Sequence, residues 1–279
     1  MKRTRLRLKR FAETSVTGRF PSNQKELVGF DLEEVRRLQP GDHPASSSFD
    51  PLRSALYKRF FLRVKRAERT LRILFALDWT PSMEASLGDE TRRLAMLAIV
   101  SELAEGFSEG ANEVGFLLWS SKVDSYLPPL SGSVRARKRL ADLSILPAAV
   151  PPTRPAKLFE YLRTMGRKPQ ITFVFSDWYD TGDFKEELRR CLISGLDIVP
   201  VVVADAREGR LPWFFGDILL YSSESGERCF VSGSANGNEI EGVFRSLNLP
   251  FIAVSASASR EDWDEAFEEF FAARERERR

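Results

Sequence analysis

From residue 70 onward the chain alternates between two hydrophobic rhythms. Short apolar runs without a polar face recur at Leu71–Leu77, Val114–Trp119, Ile171–Phe175, Asp197–Val203 and Phe251–Val254. They are too short for most helices and suit strands buried on both sides of a parallel sheet. Between them, apolar residues return at three- and four-residue steps, as in Leu94, Leu97, Val100, Ala104 and Phe107, which is the stripe of an amphipathic helix. Phe184, Leu188, Cys191 and Leu192 make a second stripe, Ile240, Val243, Phe244 and Leu247 a third, and Trp263, Ala266, Phe267, Phe270 and Phe271 a fourth. Val134–Leu143 and Leu158–Met165 read as further helices. Val123–Leu127 reads as a strand paired with Val114–Trp119, and Ile218–Tyr221 with Arg228–Val231 as a hairpin about Glu224–Glu227. Ser259-Arg260-Glu261-Asp262 approximates a capping box before the last helix. Strands alternating with helices predict an α/β fold with a doubly wound, mostly parallel sheet flanked by helices.

The first 69 residues break this rhythm. Thr4-Arg5-Leu6-Arg7-Leu8-Lys9 alternates basic and apolar positions, the pattern of an amphipathic strand. The segment 1–69 is therefore expected to be a basic, β-containing N-terminal extension packed on a main domain of residues 70–279. Residues 1–72 hold 18 Lys/Arg against 8 Asp/Glu, although the whole chain has a net charge of only +2. A basic arm of this kind can meet nucleic acid, but it lacks the interleaved aromatics of a single-strand-binding groove.

At 279 residues and 43% hydrophobic, the chain is long enough to bury a large core. It has no apolar run of membrane-spanning length and no signal-peptide core at Met1–Arg5, so a cytoplasmic protein is expected. Cys191 and Cys229 allow one disulfide, but buried free thiols fit that compartment better. A single histidine, His43, excludes His-rich zinc sites and most His-based triads.

Candidate chemistry sits where the first buried strand ends, at Asp78-Trp79-Thr80-Pro81-Ser82-Met83. One carboxylate and two hydroxyls at alternate positions leave the carboxyl end of a strand, where open α/β sheets place their ligands. Hard oxygen donors favour Mg²⁺, or Mn²⁺ or Ca²⁺, over zinc. A turn at Trp79–Pro81 is needed to swing the three side chains to one side. Taken alone, the motif also reads as a turn with a helix cap. Asp180 and Asp183 read as a helix start, Asp205 as a loop cap, and His43 as a surface turn residue.

Asp78-Trp79-Thr80-Pro81-Ser82-Met83 resembles the Asp-x-Ser/Thr-x-Ser signature of von Willebrand factor A domains. The resemblance implies a metal-ion-dependent adhesion site drawn from three loops. The second loop's threonine then falls at Thr153, in Pro151-Pro152-Thr153-Arg154-Pro155, and the third loop's aspartate at Asp177, after Phe175-Ser176. Upstream, Gly29–Arg36 and Gln39-Pro40-Gly41-Asp42, with Arg63–Arg69 running into the first strand, are similar to the bacterial family labelled domain of unknown function 58. Leu211-Pro212, Asp217–Leu220 and Ser225-Gly226-Glu227 resemble that family's late region. The similarity spans about residues 18 to 255, with Gly41-Asp42-His43 and Phe49-Asp50-Pro51 standing where the family has Gly-Asp-Asp and Ile-Asp-Trp.

Family resemblance implies a non-catalytic, cation-dependent protein-interaction module rather than an enzyme. Its expected metal ligands are Asp78, Thr80, Ser82, Thr153 and Asp177. The implied partner offers an acidic residue, and a MoxR-type AAA+ ATPase, in a chaperone-like or assembly role, fits that description. Trp79 and Trp178, beside the site, either rim the partner surface or belong to the core. Two alternatives stay open. One is a metal-dependent phosphoester hydrolase using Asp78 and Asp177; the other is a nucleic-acid-associated factor using the basic N-terminus.

Overall fold

The computed structural model describes residues 31–38, 49–66, 71–84, 91–108, 112–148, 153–178, 184–204, 218–221, 228–231 and 239–276. The expected strand at Thr4–Lys9, His43, Asp180, Asp183, Asp205 and the turn at Glu224–Glu227 lie outside these residues. The described residues divide into two compact units between Thr70 and Leu71.

In the smaller unit β1 (Asp31–Arg37) pairs antiparallel with β2 (Phe61–Arg66). The short helix α1 (Pro51–Tyr57) precedes β2. Its start is set locally: Pro51 occupies the first turn, where no N–H is needed, and the Asp50 carboxylate accepts from the Arg53 N–H at 3.1 Å. The motif that departs from the family pattern upstream, Phe49-Asp50-Pro51, is thus a helix cap.

The larger unit is built on six strands in the order β10-β7-β6-β3-β4-β5. These are β3 (Arg72–Asp78), β4 (Glu113–Trp119), β5 (Val123–Ser131), β6 (Ile171–Ser176), β7 (Asp197–Ala204) and β10 (Ile252–Ser255). All pairings are parallel except β4 with the edge strand β5. β8 (Ile218–Tyr221) and β9 (Arg228–Val231) form the expected antiparallel pair. Among the described residues the helices α2 (Arg92–Ser108), α3 (Ser133–Ser144), α4 (Pro155–Thr164), α5 (Lys185–Ile193), α6 (Glu239–Ser246) and α7 (Arg260–Arg276) flank the sheet. This is a von Willebrand factor A-like α/β fold.

The two-residue period of the strands sorts their side chains into two cores. Ile73, Phe75 and Leu77 of β3, with Phe173 and Phe175 of β6, face α2, α3 and α7. Phe75 stacks between Phe116 and Phe173 at centroid distances of 5.9 and 5.5 Å. Leu74 and Ala76 of β3, with Val174 of β6, face α4, α5 and α6. Cys191 belongs to this second core as a free thiol that donates to the Phe159 carbonyl at 3.1 Å. Burial, then the nearby Glu187 charge, push its thiol up to about 11, so it is inert as a nucleophile.

At Gly115 a side chain is excluded by close approach. A Cβ there would lie 2.7 Å from the Pro129 nitrogen and 2.8 Å from the Leu127 carbonyl oxygen. The β4–β5 register shifts between Val114 and Phe116 at the same place, so the bulge brings β5 onto a strand that has no side chain to spare. The last helix starts on Ser259, whose hydroxyl accepts from the Asp262 N–H at 3.3 Å while Asp262 accepts from the Ser259 N–H at 2.9 Å. That is the reciprocal cap expected from the residues, with Asp in the Glu position.

Candidate metal centre

The centre lies where the order of the sheet reverses. β3 continues through α2 to β4 on one side, and the chain later returns to place β6 on the other. Ligands of open α/β sheets occupy the crevice at the carboxyl ends of such strands. The register pairs Leu77 with Phe175. One residue further on, Asp78 and Ser176 therefore emerge side by side on the same face.

Asp78 is completely buried, at 0% exposure, and both its oxygens are engaged. Oδ1 accepts from the Thr80 hydroxyl at 2.6 Å and from the Thr80 N–H at 3.1 Å. Oδ2 accepts from the Ser176 hydroxyl at 2.6 Å. Thr80 Oγ1 lies 3.0 Å from Ser82 Oγ, which extends the chain of oxygens. Pro81 opens a 3-10 turn, Pro81–Glu84, that bends the backbone out of the strand. This turn lets alternate residues reach one side, as the sequence requires.

Asp177 comes from the end of β6. Its Oδ2 accepts from Arg92 Nη1 at 3.2 Å, in an ion pair whose two side chains are 5% and 4% exposed. The same Nη1 donates to the Ser82 carbonyl at 2.7 Å, so Arg92 bridges the first and third loops. The next residue, Trp178, has φ +56°, a left-handed conformation that costs a non-glycine residue roughly 1–2 kcal/mol. The strain is held by its surroundings. The Trp178 N–H donates to Ser176 Oγ at 3.0 Å, its indole N–H donates to the Val201 carbonyl at 3.3 Å, and its ring packs on Phe159, Phe184 and Phe244. This reversal ends the extended run of β6 just past Ser176 and Asp177.

Thr153 is buried and reaches the same end of the sheet by another route. It is not the helix cap, because Arg154 holds that position before α4. The Arg154 N–H donates to the Ser120 carbonyl at 3.0 Å, tying the Thr153 loop to the end of β4. Ser120 is itself fixed by its hydroxyl, which donates to Asp124 at 2.6 Å.

The electrostatics follow from two carboxylates in one dry place. Burial first, and the Asp177 charge second, push Asp78 up to about 7, against the opposing pull of hydrogen bonds from Ser176 and Thr80. Among the described residues no group of three or more His, Cys, Asp or Glu side chains is placed to hold a metal ion. The centre is thus two carboxylates among hydroxyls, an all-oxygen donor set of the kind hard divalent cations take. A divalent cation would relieve the repulsion that raises Asp78. The donors fit such an ion, while Arg92 occupies the cationic position on Asp177.

Two tryptophans read as possible rim residues belong to the interior. Trp79 and Trp178 are each 2% exposed. The Trp79 indole N–H donates to the Leu146 and Pro147 carbonyls at 3.3 and 3.0 Å, and the Arg93 guanidinium lies 4.8 Å from its ring centroid. It fastens the exit of β3 to the loop after α3 and presents nothing to a partner. Ser176 and Arg92 were not singled out from sequence. Ser176 carried a usable signal, as the last strand residue before an aspartate, at the same step from the strand end as Asp78. Arg92 carried none, since its role depends on how α2 starts.

The fold and the placement of this centre define an A-like domain with an oxygen-lined site at the switch point of its sheet. Residues 34–238 match the family described as protein of unknown function DUF58, and the chain belongs to that family. No curated protein matches it in sequence. The solved structures that share the fold include two of bacterial proteins. An aerotolerance-related membrane protein from Bacteroides fragilis NCTC 9343 is 15% identical, with a TM-score of 0.53 over 73% of this chain and 99% of that one. The conserved hypothetical protein BatB from Bacteroides thetaiotaomicron is 12% identical, with a TM-score of 0.51 over 72% and 98%. Among the described residues, no helix is long and apolar enough to cross a membrane.

Proposed function

We propose that this protein is a non-catalytic interaction module that binds a protein partner through a divalent cation, Mg²⁺ or else Mn²⁺ or Ca²⁺. Asp78, Thr80, Ser82, Thr153 and Asp177 are its ligands on this chain, some of them through water. The observation that carries the reading is the buried, hydrogen-bonded oxygen cluster of Asp78, Thr80, Ser82 and Ser176 at the ends of two neighbouring strands, with the Asp177 charge close enough to raise Asp78. Two carboxylates balance the charge of a divalent ion, but with the hydroxyls they leave part of its oxygen shell to water. An acidic side chain from a partner can take such a position, which turns the ion into a docking point.

The family resemblance makes a MoxR-type AAA+ ATPase the first partner to test, in a chaperone-like or assembly role. The test is capture of such a purified ATPase on the immobilised protein. Capture in Mg²⁺, release by chelator and loss in Asp78→Ala are expected. Capture that survives both chelator and Asp78→Ala would remove the cation from the account.

A further inference from the structure

We propose that Arg92 is the built-in rival of the divalent cation: the guanidinium and the ion exchange at Asp177, so each holds the site only when the other has left. The proposal rests on the cation-binding reading above and deepens it by naming what the ion must displace.

Three observations meet here. Arg92 is buried, and one nitrogen, Nη1, touches both the Asp177 carboxylate at 3.2 Å and the Ser82 carbonyl at 2.7 Å. Those two residues stand at the ends of the candidate ligand set, on the third and first loops, so the guanidinium spans the space between them. The second observation is the charge count. Counting these three described groups alone, Asp78 and Asp177 ionised with Arg92 in place carry one negative charge. Adding a divalent ion without moving Arg92 sets two cations facing each other on one carboxylate in a low dielectric. Exchange of the guanidinium for the ion balances the charge among the three groups and removes that repulsion.

The third observation is where Arg92 sits on its helix. It is the first residue of α2, whose start is capped by Thr91, with the Thr91 hydroxyl accepting from the Leu94 N–H at 3.2 Å. A cation in the first turn opposes the helix dipole, which favours acidic side chains there. Helix stability therefore does not explain this placement; the contacts with Asp177 and Ser82 do. Arginine also suits an exchangeable tenant, because its long stem can withdraw the charged group without moving the backbone.

One consequence is selectivity. Only an ion that outcompetes a fixed guanidinium enters, which favours divalent over monovalent cations. A second is transmission. When the ion enters, Arg92 releases the Ser82 carbonyl, and the 3-10 turn and the start of α2 lose a link to the end of β6.

The experiment titrates Mn²⁺ by calorimetry into the full chain and into Arg92→Gln at pH 8. Binding at least tenfold tighter in Arg92→Gln is expected. Equal or weaker binding in the variant overturns the rivalry and leaves the cation site standing. No binding to either protein removes the cation reading, and the rivalry with it. A second measurement needs no variant. In wild type, the ¹⁵N guanidinium signal of Arg92 should move on saturation with Mg²⁺, and a signal unchanged by bound Mg²⁺ overturns the proposal.

Discussion

The two ends of the central strands solve the same problem with different side chains. At the amino ends, amides close the backbone. The Asn112 carbonyl accepts from the Leu71 N–H at 3.1 Å while its NH₂ donates to the Phe107 carbonyl at 3.0 Å. The Gln170 side-chain Oε1 accepts from the Arg72 N–H at 2.5 Å, and the Gln170 main-chain N–H donates to the Arg72 carbonyl at 2.9 Å. Neutral groups there satisfy main-chain groups, which is what a strand end needs for stability. At the carboxyl ends, carboxylates and hydroxyls bond chiefly to one another, two like charges share a dry space, and Trp178 holds a strained backbone beside them. The first arrangement stabilises the fold. The second stores unfavourable electrostatics and geometry of the kind that gathers at functional sites.

Substitutions at the two ends should therefore separate. The largest effect is expected at the carboxyl end, from Asp177→Ala, which removes the carboxylate paired with the buried Arg92 guanidinium. Urea unfolding should show a loss of about 3–5 kcal/mol, with much of it recovered in the double variant Asp177→Ala/Arg92→Leu. A loss that the second substitution does not relieve would mean that the pair is not a unit.

The next effect is on pH. Asp78 is raised on folding from the usual carboxylate value of 3.8 to about 7, so the native state holds its proton more tightly than the unfolded chain does. Its contribution to stability is complete below about pH 4 and is lost as pH rises to about 7, by at most about 4 kcal/mol. In chelator, unfolding free energy should fall across that window for wild type and flatten in Asp78→Asn. Below pH 7, cation binding should release a proton.

At the amino end, Asn112→Ala removes the partners of the Leu71 N–H and the Phe107 carbonyl. A loss of about 1–3 kcal/mol is expected, with calorimetric Mn²⁺ binding unchanged. Thr80→Val, at the other end, should cost only about 1 kcal/mol through the lost bond to Asp78 yet weaken Mn²⁺ binding at least tenfold. The smaller stability effect carrying the larger binding effect is what distinguishes the two ends.

The strands, helices and their order were legible because each run has one periodicity and one length. The apolar stretch before Asp78 and that before Asp177 read as buried strands, and they lie next to each other as β3 and β6. Asp78, Thr80 and Ser82, which share hydrogen bonds, and Asp177, whose charge acts on Asp78, were singled out by motif and order. What was not legible depends on three-dimensional phase. Ser176 joins Asp78 only because the register pairs Leu77 with Phe175. Arg92 arrives through the starting angle of α2, and nothing in its neighbours separates it from Arg93, which instead covers Trp79. The tryptophans were ambiguous because a residue just past a strand end can turn either way. Here the loop at Leu146–Pro147 supplies acceptors that draw Trp79 inward.

The central claim is tested most directly by calorimetric titration of Mg²⁺ and Mn²⁺ into the whole protein and into Asp78→Asn at pH 8. One site per chain in wild type and none in the variant is the predicted result. Equal heats in the two proteins, or no site in wild type, would contradict it.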